Sequence, residues 1–508
     1  MTPLFPSITA CLDAACHARA DNELFTDPEE RLTGREVSDQ VERVASGLLD
    51  AGYRTGNVVA FLCGPSVRHL ITFFACQRIG LVPCAFHVND STDRLAQTVM
   101  FINAKALFAD QGLAEKAEAI AGEVPVVFLG GDGNSLDTYL ETTPGALPDS
   151  PPAPDDPALI LMSSGTTGEP KCILHTHATL AAMTPLADEI YRCSSPDDSV
   201  IVIMPPAFAA WAITTIPMLS LGARFYLDPN FAPDRFLLAL QDERITLAPL
   251  VPTIWRMVLE AGPEEYDLSA VRSAFFSGEP GSADLVDALS THITPNVCTA
   301  FLASEGCAAS AIVAGPDILV AGNKPEGAGR PVSTAVIRII DPEGSLEDIL
   351  PAGEVGEIAL QSPSLSIGYL NKPALTAEKF VDGWWRSGDL GLMDAEGVVF
   401  VKGRTDNQIN TGGVKVRAEE IEVVLLQHPD VANAAVVGEP DETWGERIEA
   451  HVVSRDPDLT EKLLLDFLEG GDLLPRRLLP KAVHFHDALP TGATGKLYRR
   501  GLRQTGSS

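Results

Sequence analysis

The sequence has little positive charge for its length of 508 residues. It carries 37 Lys and Arg against 69 Asp and Glu, which gives a formal net charge of −32. A surface this acidic repels nucleic acid and anionic lipid, so we expect neither as a partner. It also repels small phosphorylated molecules. A site for such molecules must therefore concentrate basic side chains and backbone N–H groups locally.

The sequence also lacks paired cysteines and long apolar runs. Its nine Cys are odd in number, and none stands in C-x-x-C spacing. Buried free thiols in a reducing compartment are the first interpretation, and metal binding is a distant second. The N-terminus has no basic start followed by an apolar run, and no apolar stretch reaches membrane-spanning length. We therefore expect a cytoplasmic protein without a signal peptide or a membrane span.

The first third of the chain is rich in alternating helix and strand patterns. Val58–Leu62 and Ala106–Ala109 are short apolar runs typical of buried strands, and 126–129 is a third. Apolar residues recur at helical spacing in residues 37–49, and residues 70–80 also have a helical pattern. Strands and helices that alternate in this way predict an α/β fold with a largely parallel sheet.

The pattern changes close to Arg404. Residues 431–437 and 448–453 have the pattern of strands, and residues 461–468 that of a helix. A tail of about a hundred residues is long enough for a small core of its own. We place a boundary after Arg404, which gives domains of residues 1–404 and 405–508.

The strongest motif is a loop rich in glycine and hydroxyl residues that follows the apolar run 158–162. Such a loop can wrap phosphate oxygens with N–H and O–H donors, and a lysine at its end adds a point charge. It differs from a Walker A loop because Pro170 precedes Lys171. The alternative is a flexible surface loop. The motif residues are Ser163, Ser164, Gly165, Thr166, Thr167, Gly168 and Lys171.

This loop closely resembles the phosphate-binding signature of the adenylate-forming superfamily. That superfamily includes acyl-CoA synthetases, the adenylation domains of peptide synthetases and beetle luciferases. Further motifs follow in the family's order, so the resemblance extends over nearly the whole chain. It implies a large, multi-layer α/β N-terminal domain that binds ATP and the acid. It also implies a small, mobile α+β C-terminal lid that rotates between two half-reactions.

The segment 299–305 resembles the family's Tyr-Gly-x-Thr-Glu motif. By this resemblance Phe301 packs on the adenine, Ser304 bonds the α-phosphate and Glu305 holds Mg²⁺. The chemistry agrees, because an aromatic face stacks on a base and a carboxylate is a hard ligand. Leu302 replaces the family's glycine, and taken alone the segment is an ordinary strand and turn. Upstream, Gly278 and Glu279 match a Gly-rich turn beside the adenine.

Three further family motifs lie towards the C-terminus. Asp389, in Arg-Ser-Gly-Asp, matches the residue that accepts bonds from the ribose hydroxyls. Arg404 matches a residue that contacts the nucleotide, and Asp406 matches the hinge of the lid. Lys496 matches the lysine that balances charge between carboxylate and α-phosphate during adenylation. Without the family context, each would be interpreted as a solvated turn or side chain.

In the family that this chain resembles, the segment after 200–204 lines the acid pocket, which implies Phe208, Ala209, Ala210 and Trp211, together with Ala303, as pocket residues here. Amino-acid-activating relatives carry a carboxylate after an aromatic here, and this chain carries Ala209. A buried ammonium without its counter-charge is costly, so the residues predict an apolar acid. Phe208 in place of a histidine, and the pair His175 and His177, resemble aryl-CoA ligases. The small residues equally fit a wide cavity for alicyclic acids or a packed helix surface.

The resemblance implies an ATP-dependent acid–thiol ligase. It forms acyl-AMP with MgATP and then transfers the acyl group to coenzyme A, releasing AMP and pyrophosphate. Candidate CoA-phosphate ligands are basic residues of the tail, for which a solvated cluster is the alternative: Lys415, Arg417, Arg476 and Arg477.

Two other functions stay open at this point. The first is a stand-alone adenylating enzyme that loads an acyl carrier protein instead of CoA. The second is a non-catalytic relative that only binds an acyl-adenylate. The presence of Lys171, Glu305, Asp389 and Lys496 at matching positions argues against the second.

Overall fold

The computed structural model describes most of the chain. The described residues are 4–131, 133–141, 143, 145–148, 150–163, 171–279, 281–470, 474–490, 497 and 499–503, with the backbone alone for 307–311, 477 and 500. Within these ranges no helix is both long enough and apolar enough to cross a membrane. Every cysteine whose side chain is described is buried and free.

The helices are concentrated in the first three hundred residues. In chain order they are α1 Ile8–Ala18, α2 Gly34–Asp50, α3 Val67–Arg78, α4 Thr92–Phe101, α5 Ala114–Ala121, α6 Leu136–Leu140, α7 His177–Ala181, α8 Ala187–Tyr191, α9 Ala209–Ser220, α10 Pro233–Asp242, α11 Pro252–Glu260, α12 Ala283–His292, α13 Pro316–Leu319, α14 Pro373–Lys379, α15 Ala418–Leu425 and α16 Glu461–Gly470. Short 3-10 turns occupy Gln111–Leu113, Thr184–Leu186, Pro263–Glu265, Thr405–Asn407, Arg476–Leu478 and Arg499–Gly501.

The strands run through the whole chain. They are β1 Glu23–Thr26, β2 Arg31–Thr33, β3 Val58–Leu62, β4 Val82–Ala85, β5 Ala106–Ala109, β6 Val126–Phe128, β7 Pro157–Ser163, β8 Lys171–Thr176, β9 Ser199–Val202, β10 Arg224–Leu227, β11 Leu247–Leu250, β12 Ser273–Ser277, β13 Val297–Ala303, β14 Cys307–Ala314, β15 Arg330–Pro331, β16 Val336–Ile340, β17 Gly356–Gln361, β18 Gly368–Tyr369, β19 Phe380–Val381, β20 Trp384–Met393, β21 Val399–Arg404, β22 Gln408–Thr411, β23 Val414–Arg417, β24 Val431–Asp441, β25 Gly445–Ser454 and β26 Ala482–Phe485.

Two large sheets form the N-terminal part. The first sheet has nine strands in the order β15-β14-β13-β12-β11-β9-β10-β1-β2, and its strands from β13 to β1 pair in parallel. The second has seven in the order β18-β8-β7-β4-β3-β5-β6, parallel from β7 to β6. Parallel sheets need apolar cover on both faces, which explains why their strands are continuous apolar runs.

Helices pack between these two sheets and build the largest core. In α2 the residues Val37, Val41 and Val44 recur at helical spacing and are fully buried, and a capping box between Thr33 and Glu36 fixes the start of the helix. Phe74 of α3 stacks on Phe25 of β1 with ring centroids 6.1 Å apart. Burying one such side chain contributes roughly 1.5–3 kcal/mol. This core keeps the strand ends in fixed positions.

The remaining strands form two smaller sheets on either side of Arg404. The third sheet has the order β16-β17-β20-β19, with β21 paired to β20, and it ends at Arg404. The fourth begins at Gln408 and has the order β23-β22-β25-β24, with β26 on β25. Helices α15 and α16 cover it with a separate apolar core. The predicted α/β class, with a large N-terminal and a small α+β C-terminal part, is confirmed.

Candidate active site

The predicted site residues follow the carboxyl ends of strands in both large sheets. In the first sheet, β9 leads to Phe208, β12 leads to Gly278 and β13 leads to Ser304. In the second sheet, β7 ends at Ser163, and β4 leads to His87, which was not among the predicted residues. Ligands in parallel α/β sheets bind beyond the carboxyl ends of the strands. The fold therefore directs these segments to the place where a ligand is expected.

The phosphate-binding loop joins two neighbouring strands. Ser163 ends β7 and Lys171 begins β8, and these two residues are antiparallel partners in the sheet. The ends of the loop are therefore fixed side by side. Ser164, Gly165, Thr166, Thr167 and Gly168 lie outside the described residues, so their phosphate contacts stay a prediction.

Glu305 lies in the tight turn between β13 and β14. Its Oε1 accepts a hydrogen bond of 2.9 Å from the hydroxyl of Tyr369, and its backbone carbonyl accepts one of 2.8 Å from Ser366 N–H. Burial and the neighbouring charge of Glu305 both raise the pKa of Tyr369, so the phenol stays a donor. The bond orients the carboxylate and leaves Oε2 for a second partner such as Mg²⁺.

Tyr369 also connects the Mg²⁺ candidate to the phosphate loop. It lies on β18, which pairs antiparallel with β8 so that Tyr369 faces Ile173. β8 is the strand that begins at Lys171. One short strand therefore fixes the distance between Glu305 and the end of the phosphate loop, which belong to different large sheets.

His175 forms a hydrogen bond to the backbone of the turn between β13 and β14. It is fully buried on β8, and its Nε2–H donates to the backbone carbonyl of Ser304 over 2.9 Å. Burial lowers the pKa of His175 to about 4, so the imidazole is neutral at physiological pH. His175 therefore positions Ser304. His177 is buried too, and neither of its ring nitrogens has a partner among the described residues.

The two adenine candidates lie at the ends of adjacent strands. Gly278 follows β12 and has a φ of +90°, a backbone conformation that residues with a Cβ atom rarely adopt. Glu279 Oε2 accepts a hydrogen bond of 3.3 Å from Thr253. Phe301 on β13 is half-buried, and with Ala303 it packs on an apolar cluster of the third sheet. This packing leaves part of the Phe301 ring exposed.

Asp389 and Arg404 face each other as strand partners on β20 and β21. Arg404 Nη1 lies 2.9 Å from Asp389 Oδ1, and Arg404 Nε lies 3.1 Å from Asp406 Oδ1. Only 13% of the Asp389 side chain is exposed. Burial raises its pKa to about 6, an effect that Arg404 partly offsets and that the charges of Glu305 and Asp406 reinforce. The predicted ribose, metal and hinge residues therefore form one electrostatic group.

The raised pKa of Asp389 predicts how nucleotide affinity depends on pH. Only the ionised carboxylate accepts bonds from both ribose hydroxyls. Above pH 6 it is ionised, and below pH 6 it binds a proton that the nucleotide must displace. We expect KM for ATP to rise by up to about tenfold per pH unit as the pH falls below 6. Initial rates at saturating acid measure it.

Asp389→Asn is the matched control for this pH dependence. Its side chain has the same shape but does not titrate. Any slope that remains in the variant belongs to the phosphates of ATP. Equal slopes in the parent and the variant would rule out Asp389 as the titrating group.

Some of the acid-pocket candidates are partly exposed at the N-terminal end of α9, and one of them is buried in the core. Phe208 precedes α9, and its ring meets that of His87 edge-on with centroids 4.8 Å apart. Ala209 and Ala210 begin α9 and are partly exposed. Trp211 is 1% exposed and packs against His69 and Phe73 in the core between the sheets. Its placement favours a supporting role for Trp211 behind Phe208.

Two of the four predicted CoA-binding residues are already engaged by acidic partners. Lys415 forms an ion pair with Glu343, and Arg417 forms one with Glu420. Lys415 also lines a polar cavity of about 360 Å³ whose walls carry acidic and basic groups together. Arg476 is exposed, whereas the Arg477 side chain and the whole of Lys496 lie outside the described residues. These contacts favour the solvated-cluster alternative for Lys415 and Arg417.

Sequence reasoning missed three residues that this geometry brings to the site. They are His87 beside Phe208, Tyr369 on Glu305, and Thr405, whose hydroxyl donates to the Gly388 carbonyl over 3.1 Å. Thr405 lies in the hinge motif between Arg404 and Asp406 but was given no role, whereas His87 and Tyr369 stand in no motif that the sequence analysis singled out. His87 gave a weaker signal, since it lies two residues after the apolar strand β4.

Comparisons with known proteins agree with this geometry. Residues 12–370 match the sequence profile of the AMP-binding enzymes, and residues 420–496 match that of the AMP-binding enzyme C-terminal domain. Indoleacetate–CoA ligase of Aromatoleum aromaticum is 32% identical over 489 residues, which cover 94% of each chain. Feruloyl-CoA synthase of an Amycolatopsis species is 31% identical, covering 93% of this chain and 94% of that protein.

A solved structure extends the similarity to the whole fold. The chain aligns with ATP-bound MatB from Rhodopseudomonas palustris with a TM-score of 0.86 and 26% sequence identity. The alignment covers 98% of both chains. The two-part architecture is therefore shared over its full length with a protein that binds ATP.

Proposed function

This chain belongs to the family of AMP-binding enzymes, and from that premise we propose that it is an AMP-forming ligase that joins an aryl or bulky alicyclic acid to coenzyme A. The group formed by Glu305, Tyr369, Asp389 and Arg404 supports this proposal most directly. It places a candidate metal ligand beside a candidate ribose acceptor. Glu305 is also joined, through Tyr369 on β18 and through β8, to the end of the phosphate loop.

In the first half-reaction we assign the chain's residues to positioning and charge balance. A carboxylate oxygen of the acid attacks the α-phosphorus of ATP, the bond to the β-phosphate bridge breaks, and pyrophosphate leaves. Ser163, Lys171 and Ser304 hold phosphate oxygens, while Asp389 holds the ribose. Glu305 fits Mg²⁺ because its Oε2 is left open by the Tyr369 bond. Bound there, Mg²⁺ neutralises phosphate charge.

In the second half-reaction we propose that the part beyond Arg404 turns about Asp406. The CoA thiol attacks the acyl carbon, the bond to the phosphate oxygen breaks, AMP leaves, and the thiol proton passes to solvent. The third sheet ends at Arg404 and the fourth begins at Gln408, with the 3-10 turn Thr405–Asn407 between them. A three-residue joint of this kind suits a rotation. The proposed domains are therefore residues 1–404 and 405–508.

Coenzyme A is the acceptor that we propose, and a carrier protein is the alternative. The relatives reported above are named as a CoA ligase and a CoA synthase, which favours CoA. Thioester formation measured with free CoA and with a carrier protein separates the two. The eight cysteines whose side chains the structure describes are buried and free, which supports the cytoplasm as the proposed compartment.

We propose that the substrate is an aromatic or alicyclic acid because the N-terminal end of α9 is apolar. The rings of Phe208 and His87 contact each other edge-on at this end of the helix. The neighbouring residues Ala209 and Ala210 carry no charge that could pair with the ammonium group of an amino-acid substrate. Burial lowers the pKa of His87 and favours its neutral form. The similar proteins are named for indoleacetate and feruloyl substrates, both of which carry aromatic rings.

A panel of acids tests this pocket through pyrophosphate release. An aryl acid that buries about 100 Å² more apolar surface than acetate gains about 2.5 kcal/mol, or roughly 70-fold in kcat/KM. We expect aryl and alicyclic acids to exceed acetate and α-amino acids by at least that factor. Efficient activation of an amino acid would overturn the pocket assignment and leave the ATP chemistry standing.

Substitutions at Ala209 test the same pocket from the protein side. Ala209→Asp places an unpaired carboxylate against apolar substrate, so turnover of the best aryl acid should fall at least about tenfold. Ala209→Trp should penalise bulky acids more than small ones. Asp is favourable in the first turn of a helix, so the loss is not expected to come from misfolding of α9. Ala209→Ser is the size-matched control. Indifference to both larger substitutions would place the acid elsewhere.

A further inference from the structure

A cluster of histidines lies in the fourth sheet, beyond the hinge. Glu449 and His451 stand two residues apart on β25 and therefore point to the same face of the sheet. The neighbouring strand β26 runs parallel, and His484 is the register partner of His451. His486 follows two residues after His484. Four groups that can bind a metal ion are thus brought together by strand pairing.

The ligand atoms of this cluster lie close to one another. One oxygen of Glu449 and one nitrogen each of His451 and His484 all lie within 4.8 Å of each other. His484 Nε2 is 2.9 Å from Glu449 Oε2, and the rings of His451 and His484 stack with centroids 4.8 Å apart. A tetrahedral zinc ion with bonds of about 2.05 Å needs ligand separations of about 3.3 Å. Small side-chain rotations cover this difference.

His451 carries a nitrogen without a partner. The residue is 4% exposed, and its Nε2 is buried with no hydrogen bond to any described residue. Its Nδ1 lies 2.9 Å from His486 Nε2. An imidazole that ligates through one nitrogen while a second group holds the other is the usual arrangement at metal sites. A buried, unpartnered nitrogen is costly, and a bound ion would satisfy it.

A hydrogen bond also holds the Glu449 carboxylate in place. Its Oε1 accepts a bond of 2.6 Å from Arg447 Nε, which leaves Oε2 turned towards His484. Glu449 is 2% exposed, whereas 34% of the His484 side chain is exposed. The cluster therefore has two fixed, buried ligands and a third on the solvent side, where an ion can enter.

We propose that Glu449, His451 and His484 bind a divalent transition-metal ion with the ligand preferences of zinc. Two imidazoles and a carboxylate suit zinc, whereas magnesium prefers oxygen ligands alone. The site is separate from the Mg²⁺ candidate at Glu305 and does not depend on the proposed reaction. The ion fastens β26 to β25.

Zinc binding to the full-length, tag-free chain tests the proposal. After treatment with a chelator, the protein is dialysed against Zn²⁺ at physiological ionic strength with excess Mg²⁺ present. We expect one Zn²⁺ per chain and a rise in the melting temperature on binding. His451→Gln and His484→Gln should each weaken Zn²⁺ binding at least about tenfold, since each removes one ligand.

Matched controls separate ligation from folding. His292→Gln replaces an exposed histidine on α12 and should bind Zn²⁺ like the parent. Melting temperatures in chelator show whether the cluster variants fold, and the Zn²⁺-induced rise should be absent in them. Bound Co²⁺ should give a visible absorption band that both variants lose. A parent that binds no more Zn²⁺ than the variants, or variants that keep full affinity, would overturn the proposal.

Discussion

Glu305→Gln is expected to lower pyrophosphate release from ATP and acid at least about a hundredfold, a loss of the size seen when one group that stabilises transition-state charge is removed. Gln keeps the length of the side chain and can still accept the Tyr369 hydrogen bond at Oε1. What it loses is the negative charge that a hard, doubly charged cation requires. The effect should therefore appear in the metal-dependent step.

The matched control for this prediction is Tyr369→Phe. It removes the 2.9 Å bond that orients the carboxylate and leaves the charge of Glu305 in place. We expect a loss of several-fold, with a higher Mg²⁺ concentration needed for half-maximal rate. Rates are measured over a Mg²⁺ titration with each protein. Should Glu305→Gln respond to Mg²⁺ as the parent does, Glu305 would not be the metal ligand.

Lys496→Ala is expected to affect the two half-reactions unequally. Pyrophosphate release should fall by about 10²–10³, because the lysine is assigned to charge balance between the acid and the α-phosphate. Thioester formation from supplied acyl-AMP and CoA should stay within a few-fold of the parent. Lys462→Ala removes an exposed lysine at the start of α16 and is the control on the same domain. Equal losses in both assays would reject a role in one step only.

Asp406→Pro provides the complementary test of the rotation. Asp406 lies inside the 3-10 turn Thr405–Asn407, where the fixed φ of proline is compatible with the backbone. Proline there restricts the change in φ that a rotation needs. We expect adenylation to persist while transfer to CoA falls. Normal rates for both steps would place the pivot at another residue.

Much of the fold was accessible from the sequence because its strands are buried on both faces. The apolar runs Val58–Leu62 and Ala106–Ala109 form β3 and β5 at the predicted residues. The change of pattern near Arg404 coincides with the passage from the third to the fourth sheet. The third sheet was not predicted. Its antiparallel strands range from the two residues of β19 to the ten of β20, and strand propensity depends on packing context more than on an intrinsic backbone preference.

The parts of the site that sequence could not give depend on long-range contacts. Tyr369 and Glu305 are 64 residues apart, and their bond exists because β18 pairs with β8. His87 and Phe208 meet from different sheets. The family resemblance implied that Trp211 lines the pocket, whereas α9 turns that ring into the core. Sequence periodicity predicts which face of a helix or strand is buried. Which residues that face contacts is decided only by the packing of the whole fold.

The pairing of Asp389 with Arg404 has a consequence for the order in which products leave. Arg404 is the last residue of β21, two positions before Asp406, and it bonds the side chains of both Asp389 and Asp406. In the proposed mechanism Asp389 binds the ribose and Asp406 is the pivot, so a nucleotide that competes with Arg404 for Asp389 alters the contacts at the pivot. Binding free energies are reciprocal, so whichever orientation of the C-terminal part AMP favours must in turn retain AMP. Under this proposal, the departure of AMP and the return of the C-terminal part to its adenylating orientation are thermodynamically linked.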